Sequence, residues 1–386
     1  MKVLLIYDCV HPESLGGIEY RNYCLSRALA DRGHEVTIAG WLAGPGGTQN
    51  GVTILPMKFR RLIHVGDGRR STIASLKFAA AAACLDVAPY DVVETANIPY
   101  AHIIPLALRC ALAGKPLVVT WHEFFGSYWR QYQGRASGLA YQIVEWLTAQ
   151  IGHLNAASPL TARRMQDVRR GRAGATLPLA ACGVSLKDVR AAWDLPALSA
   201  PPLLFGGRLI PEKRVDLLLQ AVALMPEAAT GGDSILLGIC GDGPDRPRLM
   251  ALAESLGIAN RVTFFGRLPE NVDMWRLLAT TRVAVQPSVR EGFGLFPLEA
   301  ISLGRPVVTC DSPESAVSDI VRDGIEGFCT KAEPACLAAA MTRLLNDAPL
   351  WQRMSEAALL RAPLYDWPSV AERFEKFLGG LFARPN

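Results

Sequence analysis

The sequence predicts an α/β protein built from two Rossmann-like, doubly wound domains facing a central cleft. Three observations predict it. The 386 residues are long for one α/β core and comfortable for two. Short β-branched runs alternate with longer Ala/Leu-rich stretches, the pattern of βαβ units and parallel sheets, and the alternation occurs twice. Between the two series, residues 183–202 hold Gly183, Pro196, Pro201 and Pro202 without a sustained period, which places a linker there and separates residues 1–183 from 184–366.

Taken in order, the first series predicts strands at 3–7, 35–39, 52–55, 91–95, 117–121 and near 154–157, with helices between them. The second predicts strands at 203–205, 235–240, 262–265, 283–286, 307–309 and 327–329. The last stretch reads as one amphipathic helix that runs from Trp367 and packs back on the first domain. Pro368 suits its first turn, and Val370, Phe374, Phe377, Leu378 and Leu381 share a stripe. Doubly wound sheets bind ligands at the carboxyl ends of their strands, so the loops that leave those ends are where chemistry is expected.

Composition narrows the function classes. Half the residues are hydrophobic and 20% are charged, which excludes a disordered chain. The nine cysteines are scattered and never spaced Cys-x-x-Cys, so they read as reduced thiols of a cytoplasmic protein. The N-terminal apolar run meets Asp8 too soon for an export signal, and no apolar stretch reaches membrane-spanning length. Residues 1–190 hold 21 Lys and Arg against 13 Asp and Glu, while the remainder holds 19 against 23. Arg60, Arg61, Arg69, Arg70, Arg163, Arg164, Arg169, Arg170 and Arg172 either meet an anionic acceptor or acidic membrane surface, or are solvated helix faces. Nucleic acid is not expected, because no binding module and no aromatic interleaving accompany the charge.

The loop at 287–300 carries the strongest local signal. Glu291 lies in the loop and Glu299 about a turn inside the helix that Pro297 helps to start, so both can face one ligand over the helix N-terminus. Gly292 and Gly294 let backbone approach closely, and the N–H groups of Phe293, Gly294 and Leu295 suit phosphate or hydroxyl oxygens. Gly206-Gly207-Arg208-Leu209-Ile210-Pro211-Glu212-Lys213 offers a planar guanidinium and a point charge, a combination suited to a diphosphate, although Glu212 is also able to pair with a cation there. Gly241-Asp242-Gly243-Pro244 either lines the ligand or only makes a turn.

In the first half, Gly16-Gly17 precedes a helix without forming Gly-x-Gly-x-x-Gly, which removes the main support for a dinucleotide cofactor. Glu19 complements the helix dipole, touches an acceptor or fixes the loop. His122 ends a buried strand, where it is either a satisfied structural residue or a functional one. Phe124 and Tyr128, in the aromatic stretch 122–132, form an acceptor wall or domain packing. No Asp-x-Asp occurs in the chain, so no metal or other cofactor is expected; cations of the protein and helix dipoles would neutralise a diphosphate leaving group.

Gly16-Gly17-Ile18-Glu19, His122-Glu123, Gly207-Arg208-Leu209 with Lys213, Gly241-Asp242-Gly243-Pro244, and Glu291-Gly292-Phe293-Gly294 with Glu299 together resemble the ordered motifs of glycosyltransferase family 4 along nearly the whole chain. The resemblance implies the GT-B fold, retention of anomeric configuration, and a nucleoside-diphosphate sugar as donor, with UDP the expected carrier. It implies that Arg208 and Lys213 bind the diphosphate, Glu299 the ribose, and Glu291 the transferred sugar, with backbone of Gly292 to Leu295 beside sugar or phosphate. Gly17 would lie by the diphosphate, His122 near the reaction centre, and Gly266 and Arg267 beside the base. The expected acceptor is a sugar, lipid-linked or small-molecule hydroxyl, with peripheral membrane association left open. Ala181-Cys182-Gly183-Val184 departs from the Pro-Asn-Gly-Val often found in the family, which puts any contact of that asparagine in doubt. A nucleotide-sugar epimerase and a silent sugar-nucleotide-binding subunit share the fold and remain as alternatives.

Overall fold

A computed structural model of the chain describes residues 1–14, 16–59, 71–169, 181–226 and 235–382. Of the residues named above, Arg60, Arg61, Arg69, Arg70, Arg170 and Arg172 lie outside the described residues. The chain divides into two compact units, Met1–Cys182 with Trp367–Asn386, and Gly183–Asp366.

In the first unit, β1 (Lys2–Ile6), β2 (Glu35–Gly40), β3 (Gly47–Gln49), β4 (Val52–Pro56), β5 (Val92–Ala96), β6 (Leu117–Trp121) and β7 (His153–Ala156) form one sheet. Its order is β3-β4-β2-β1-β5-β6-β7, parallel throughout except for β3 against β4. Val3, Leu4, Leu5 and Ile6 are all fully buried, because alternate side chains enter cores on opposite faces of the sheet. Val3 and Leu5 meet Leu25 and Leu29 of α1 (Gly17–Ala30) together with Val370, Phe374 and Leu378 of the C-terminal helix (Trp367–Phe382). Leu4 and Ile6 meet Phe78 of α2 (Thr72–Ala83) and Ile103 and Leu106 of α3 (Ile103–Leu112), with Tyr141 and Val144 of α4 (Arg135–Thr148) packed against the same core. The C-terminal helix is thus structural to this unit: removing a ring as buried as Phe374 costs about 3–5 kcal/mol.

In the second unit, β8 (Leu203–Gly206), β9 (Leu237–Cys240), β10 (Val262–Gly266), β11 (Val283–Gln286), β12 (Val307–Cys310) and β13 (Gly327–Thr330) form a parallel sheet of order β10-β9-β8-β11-β12-β13. Successive strands add on one side from β8 to β10, then on the other from β11 to β13. The reversal between β8 and β11 is a topological switch point, where diverging connections leave a crevice at the strand ends. α5 (Val215–Leu224) follows β8 and α6 (Leu295–Ser302) follows β11, so both sides of that point lead into helices.

All twelve anticipated strands are present, with ends shifted by no more than two residues. β3 was not anticipated. It is a short, exposed edge strand joined to β4 by Asn50 and Gly51, both at positive φ (50° and 76°), the geometry of a tight hairpin turn. The Asn-Gly pair was the available signal, but three exposed residues with no apolar member show no alternation. Residues 183–202 are also more than a linker. Ser185 Oγ accepts from Asp188 N at 3.2 Å and starts the helix Leu186–Arg190, and Leu186, Val189 and Ala192 are buried in the core of the second unit. A five-residue helix is too short to display a period.

Candidate functional site

The second unit gathers its predicted residues from four neighbouring strand ends. Gly207 N donates to Cys240 O at 3.0 Å, Leu209 N to Asp242 O at 2.9 Å, and Gly241 N to Gly266 O at 2.7 Å, so the loops after β8, β9 and β10 lie side by side. Gly241 makes this possible: its φ is 135°, and a Cβ there would stand 1.9 Å from Gly207 O. Arg208 and Arg267 are exposed on these loops.

Across the switch point Lys213 Nζ pairs with the Glu291 carboxylate, both side chains being mostly buried. Val289 N donates to Glu212 O at 3.1 Å, so the loop after β11 rests on the turn after β8. Glu291 is fixed from its other side, where its N donates to Glu314 O at 3.2 Å and its carbonyl accepts from Ala316 N at 2.8 Å. The two groups assigned separately to diphosphate and sugar are therefore partners of each other here.

α6 opens at Gly294, whose φ is 106° and which supplies no side-chain cap. Its first N–H groups thus retain donor capacity for an anionic or hydroxyl oxygen. The ring of half-buried Phe293 packs towards Tyr365, 6.3 Å away, leaving backbone and not the ring as its candidate contact. Glu299 lies one turn into α6 and accepts from Trp275 Nε1 at 2.9 Å. Burial raises its carboxyl to about 7, with the Trp275 N–H acting in the opposite direction, so near neutrality it exists in both forms.

In the first unit His122 is the residue immediately after β6, and its backbone N donates to Asn97 Oδ1 at 3.2 Å. Near it lies a polar cluster that was not predicted. Arg21 Nη1 donates to Glu94 Oε1 and to Asn22 Oδ1, each at 2.8 Å, and Arg21 Nε donates to Ala181 O at 2.8 Å. Thr120 Oγ1 donates to Glu94 and accepts from Asn155 Nδ2 at 3.1 Å. Burial and then the Arg21 charge lower the His122 pKa to about 3, which keeps the imidazole neutral. Its Nδ1 is 4.0 Å from Cys182 Sγ, the residue that departs from the family asparagine, and burial holds that thiol up at about 12. His122 Nε2 is buried with no hydrogen-bond partner among the described residues, so it retains capacity for a ligand hydroxyl.

The remaining first-unit candidates turn inward. Glu19 accepts from Ser14 Oγ at 2.7 Å, and its carboxylate occupies the space where a Cβ on Gly16 would lie, 2.6 Å away. It therefore fixes the loop before α1, whose first residue is Gly17. Phe124 packs on Trp121 at 5.9 Å, and Tyr128 lies between Phe125 and Tyr132. Buried Glu145 holds this aromatic loop, accepting from Phe125 N (2.8 Å), Gly126 N (2.7 Å) and Tyr100 Oη (2.7 Å). Packing is thus the role visible for Phe124. Arg164 donates to Phe124 O, and Arg169 to the carbonyls of Ala149, Ile151 and Gly152. These two arginines serve local structure, a correction to their reading as ligand-facing or simply solvated.

Among the described residues, no group of three or more His, Cys, Asp or Glu is placed to hold a metal ion. No helix among them is long and apolar enough to cross a membrane. All nine cysteines are free thiols.

Residues 15–176 match the family described as Glycosyltransferase Family 4, and residues 197–361 match Glycosyl transferases group 1. The D-inositol 3-phosphate glycosyltransferase of Streptomyces griseus is 36% identical over 190 residues, 47% of this chain and 39% of that protein. The chain thus spans about two fifths of the length of the curated relatives it matches. The fold is shared with sucrose-phosphate synthase from Thermosynechococcus elongatus (TM-score 0.77, 22% identity, 99% of both chains). It is also shared with Anabaena HepE solved with UDP and glucose (TM-score 0.71, 18% identity, 98% of this chain and 100% of that one).

Proposed function

Since the chain belongs to glycosyltransferase family 4 and has its GT-B fold, we propose that it moves a hexose-type sugar from a nucleoside-diphosphate donor to an acceptor hydroxyl. The reading takes UDP as the carrier, retention as the stereochemical course, and needs no metal ion. The observation that carries it is the Lys213–Glu291 pair at the switch point, beside exposed Arg208 and the uncapped start of α6. Together they supply two cations, free backbone donors and one carboxylate at the strand ends, which matches a diphosphate attached to a polyhydroxylated group.

In this reading the diphosphate takes over Lys213, releasing the Glu291 carboxylate to accept from sugar hydroxyls. Glu299 accepts from the ribose, favouring its ionised form. As the bond between anomeric carbon and diphosphate oxygen breaks, Arg208, Lys213 and the α6 N–H groups stabilise the charge left on the phosphate. The acceptor oxygen bonds to the same face of the anomeric carbon, and its proton passes to a leaving phosphate oxygen. His122, whose Nε2 has no hydrogen-bond partner among the described residues, is assigned a hydrogen bond to the transferred sugar by family resemblance. Gly17, Gly266 and Arg267 are assigned to the donor as well, by family resemblance. The acceptor is a sugar, lipid-linked or small-molecule hydroxyl, and the free thiols favour the cytoplasm as the compartment.

The test is a panel of UDP-, GDP- and ADP-sugars, scored by mass spectrometry for nucleoside diphosphate with and without acceptor mixtures. Acceptor-dependent diphosphate release supports transfer. Sugar isomerisation without acceptor identifies an epimerase, and binding without turnover across the panel identifies a silent subunit; either result overturns the proposal.

A further inference from the structure

We propose that Trp275 is a positioning residue for the ribose end of the donor site: its indole N–H holds one oxygen of the Glu299 carboxylate and presents the other to the vicinal hydroxyls of the nucleoside. The inference rests on the reading of Glu299 as the ribose contact and adds the group that makes that contact specific.

Trp275 lies on the helix Asn271–Thr280, which follows β10, and is 8% exposed. With Leu277 and Leu278 of the same helix it shares a core with Phe296, Leu298, Ala300 and Ile301 of α6. The two helices come together beside the end of β8, where Gly206 leaves room for both. A Cβ on Gly206 would run into the Phe296 ring and stand 2.9 Å from Met274 Cε. Packing therefore fixes the indole before any ligand arrives. Its Nε1 donates to Glu299 Oε1 at 2.9 Å, the one hydrogen bond of that carboxylate among the described residues.

The chemistry of the donor suits the task. A glutamate side chain has several rotamers, and a donor embedded in the core selects one of them, so the ligand does not have to order it. An indole N–H donates and cannot accept, so it supports the ionised carboxyl and offers nothing to the O–H of the protonated one. It thus opposes burial, which pushes the Glu299 carboxyl up. Charged side chains on the surrounding elements are engaged elsewhere. Arg276 Nη1 pairs with Asp273 at 3.3 Å on the helix of Trp275, Arg190 donates to Ser302 O, and Arg361 donates to Ile320 O. The indole is therefore the group that both orients Glu299 and favours its charged form.

The test is calorimetric titration of the full chain, native and Trp275→Phe, with UDP and with dideoxy-UDP, which lacks both ribose hydroxyls, at pH values on both sides of neutrality. Phenylalanine keeps an aromatic ring in the core and removes the donor. The native chain should prefer UDP. At neutral pH Trp275→Phe should lower UDP affinity roughly tenfold and leave dideoxy-UDP affinity nearly unchanged, so that the preference collapses. The rise of UDP affinity with pH should also move upward by about one unit, the scale of losing a hydrogen bond to a charged group. Equal losses for the two ligands would overturn the inference, since damage to packing alone does not distinguish them. A native preference for UDP that survives in Trp275→Phe, with its pH dependence in place, would overturn the inference while leaving Glu299 at the ribose. A native chain indifferent to the ribose hydroxyls would remove the Glu299 assignment, and this inference with it.

Discussion

In the first unit, Arg21 and Glu94 are 2% and 0% exposed and spend their charge on each other and on fixed polar neighbours. In the second, Lys213 and Glu291 also pair, but they retain 16% and 18% side-chain exposure, and Arg208 nearby is open to solvent. Both pairs join segments far apart in sequence, the first from within α1 to the middle of β5 and the second between the loops after β8 and β11. The difference is what replaces the partner when one member leaves. Arg21 without Glu94 is a charge in a dry interior, with nothing mobile to compensate it. Lys213 without Glu291 faces water or a ligand phosphate. One pair therefore holds shape, while the other is exchangeable and suited to binding.

The sharpest way to break this contrast is stability. Glu94→Ala should cost about 3–5 kcal/mol in chemical denaturation because it strands the Arg21 guanidinium. Glu291→Ala should cost only about 1 kcal/mol, in line with a pair near the surface. Equal losses would show that the two pairs do the same job.

The next effect is on catalysis. Arg208→Ala and Lys213→Ala should each reduce kcat/KM about 100- to 1000-fold, the scale for losing a donor to developing charge, while Arg208→Ala leaves melting unchanged and Lys213→Ala costs no more stability than Glu291→Ala. Steady-state kinetics with acceptor in excess checks this, and a loss explained entirely by unfolding would count against it.

Two smaller effects depend on pH. The folded-state pKa of His122 is lowered from 6.5 to about 3, so the unfolded chain binds the extra proton between those values, and stability should fall as pH drops through that window. His122→Gln should make the fall shallower in denaturation curves taken across it. Glu299 shifts the other way, from 4.5 to about 7. Its contribution to stability is present below 4.5 and lost as pH rises through 7, while a ligand that selects the carboxylate binds better as pH rises through the same range. UDP affinity should rise modestly across pH 7 in the native chain and stay flat in Glu299→Gln, as read by calorimetry.

The parts legible in the sequence are those whose signal is local. The central strands show themselves as apolar runs, and the loop at 287–300 carries both glutamates, the glycines and the helix start in one stretch. The Arg21–Glu94 pair was not legible, because it exists only once β5 is placed beside β1 and α1 is folded over the sheet. Each member left a trace: Arg21 falls on the same helical stripe as Leu25 and Leu29, and Glu94 interrupts the apolar run of β5. A charge on a buried stripe asks for an opposite charge on another, but sequence does not say where. The same holds for the aromatic loop, whose anchor Glu145 lies about a helix away and resembles an ordinary surface glutamate until its three donors are seen. The Lys213–Glu291 pairing was hidden for a related reason, since both residues were visible as ligand groups but their contact requires β8 and β11 to be neighbours.

The central claim is that the cations after β8 in the second unit hold a diphosphate. Calorimetric titration of UDP into the native chain, the Arg208→Ala/Lys213→Ala double variant and His122→Ala tests it most directly. The account predicts that the double variant loses affinity by at least about tenfold, since charge-assisted phosphate bonds each contribute about 1.5 kcal/mol or more, while His122→Ala binds UDP as the native chain does. Equal affinity in the native chain and the double variant would contradict it.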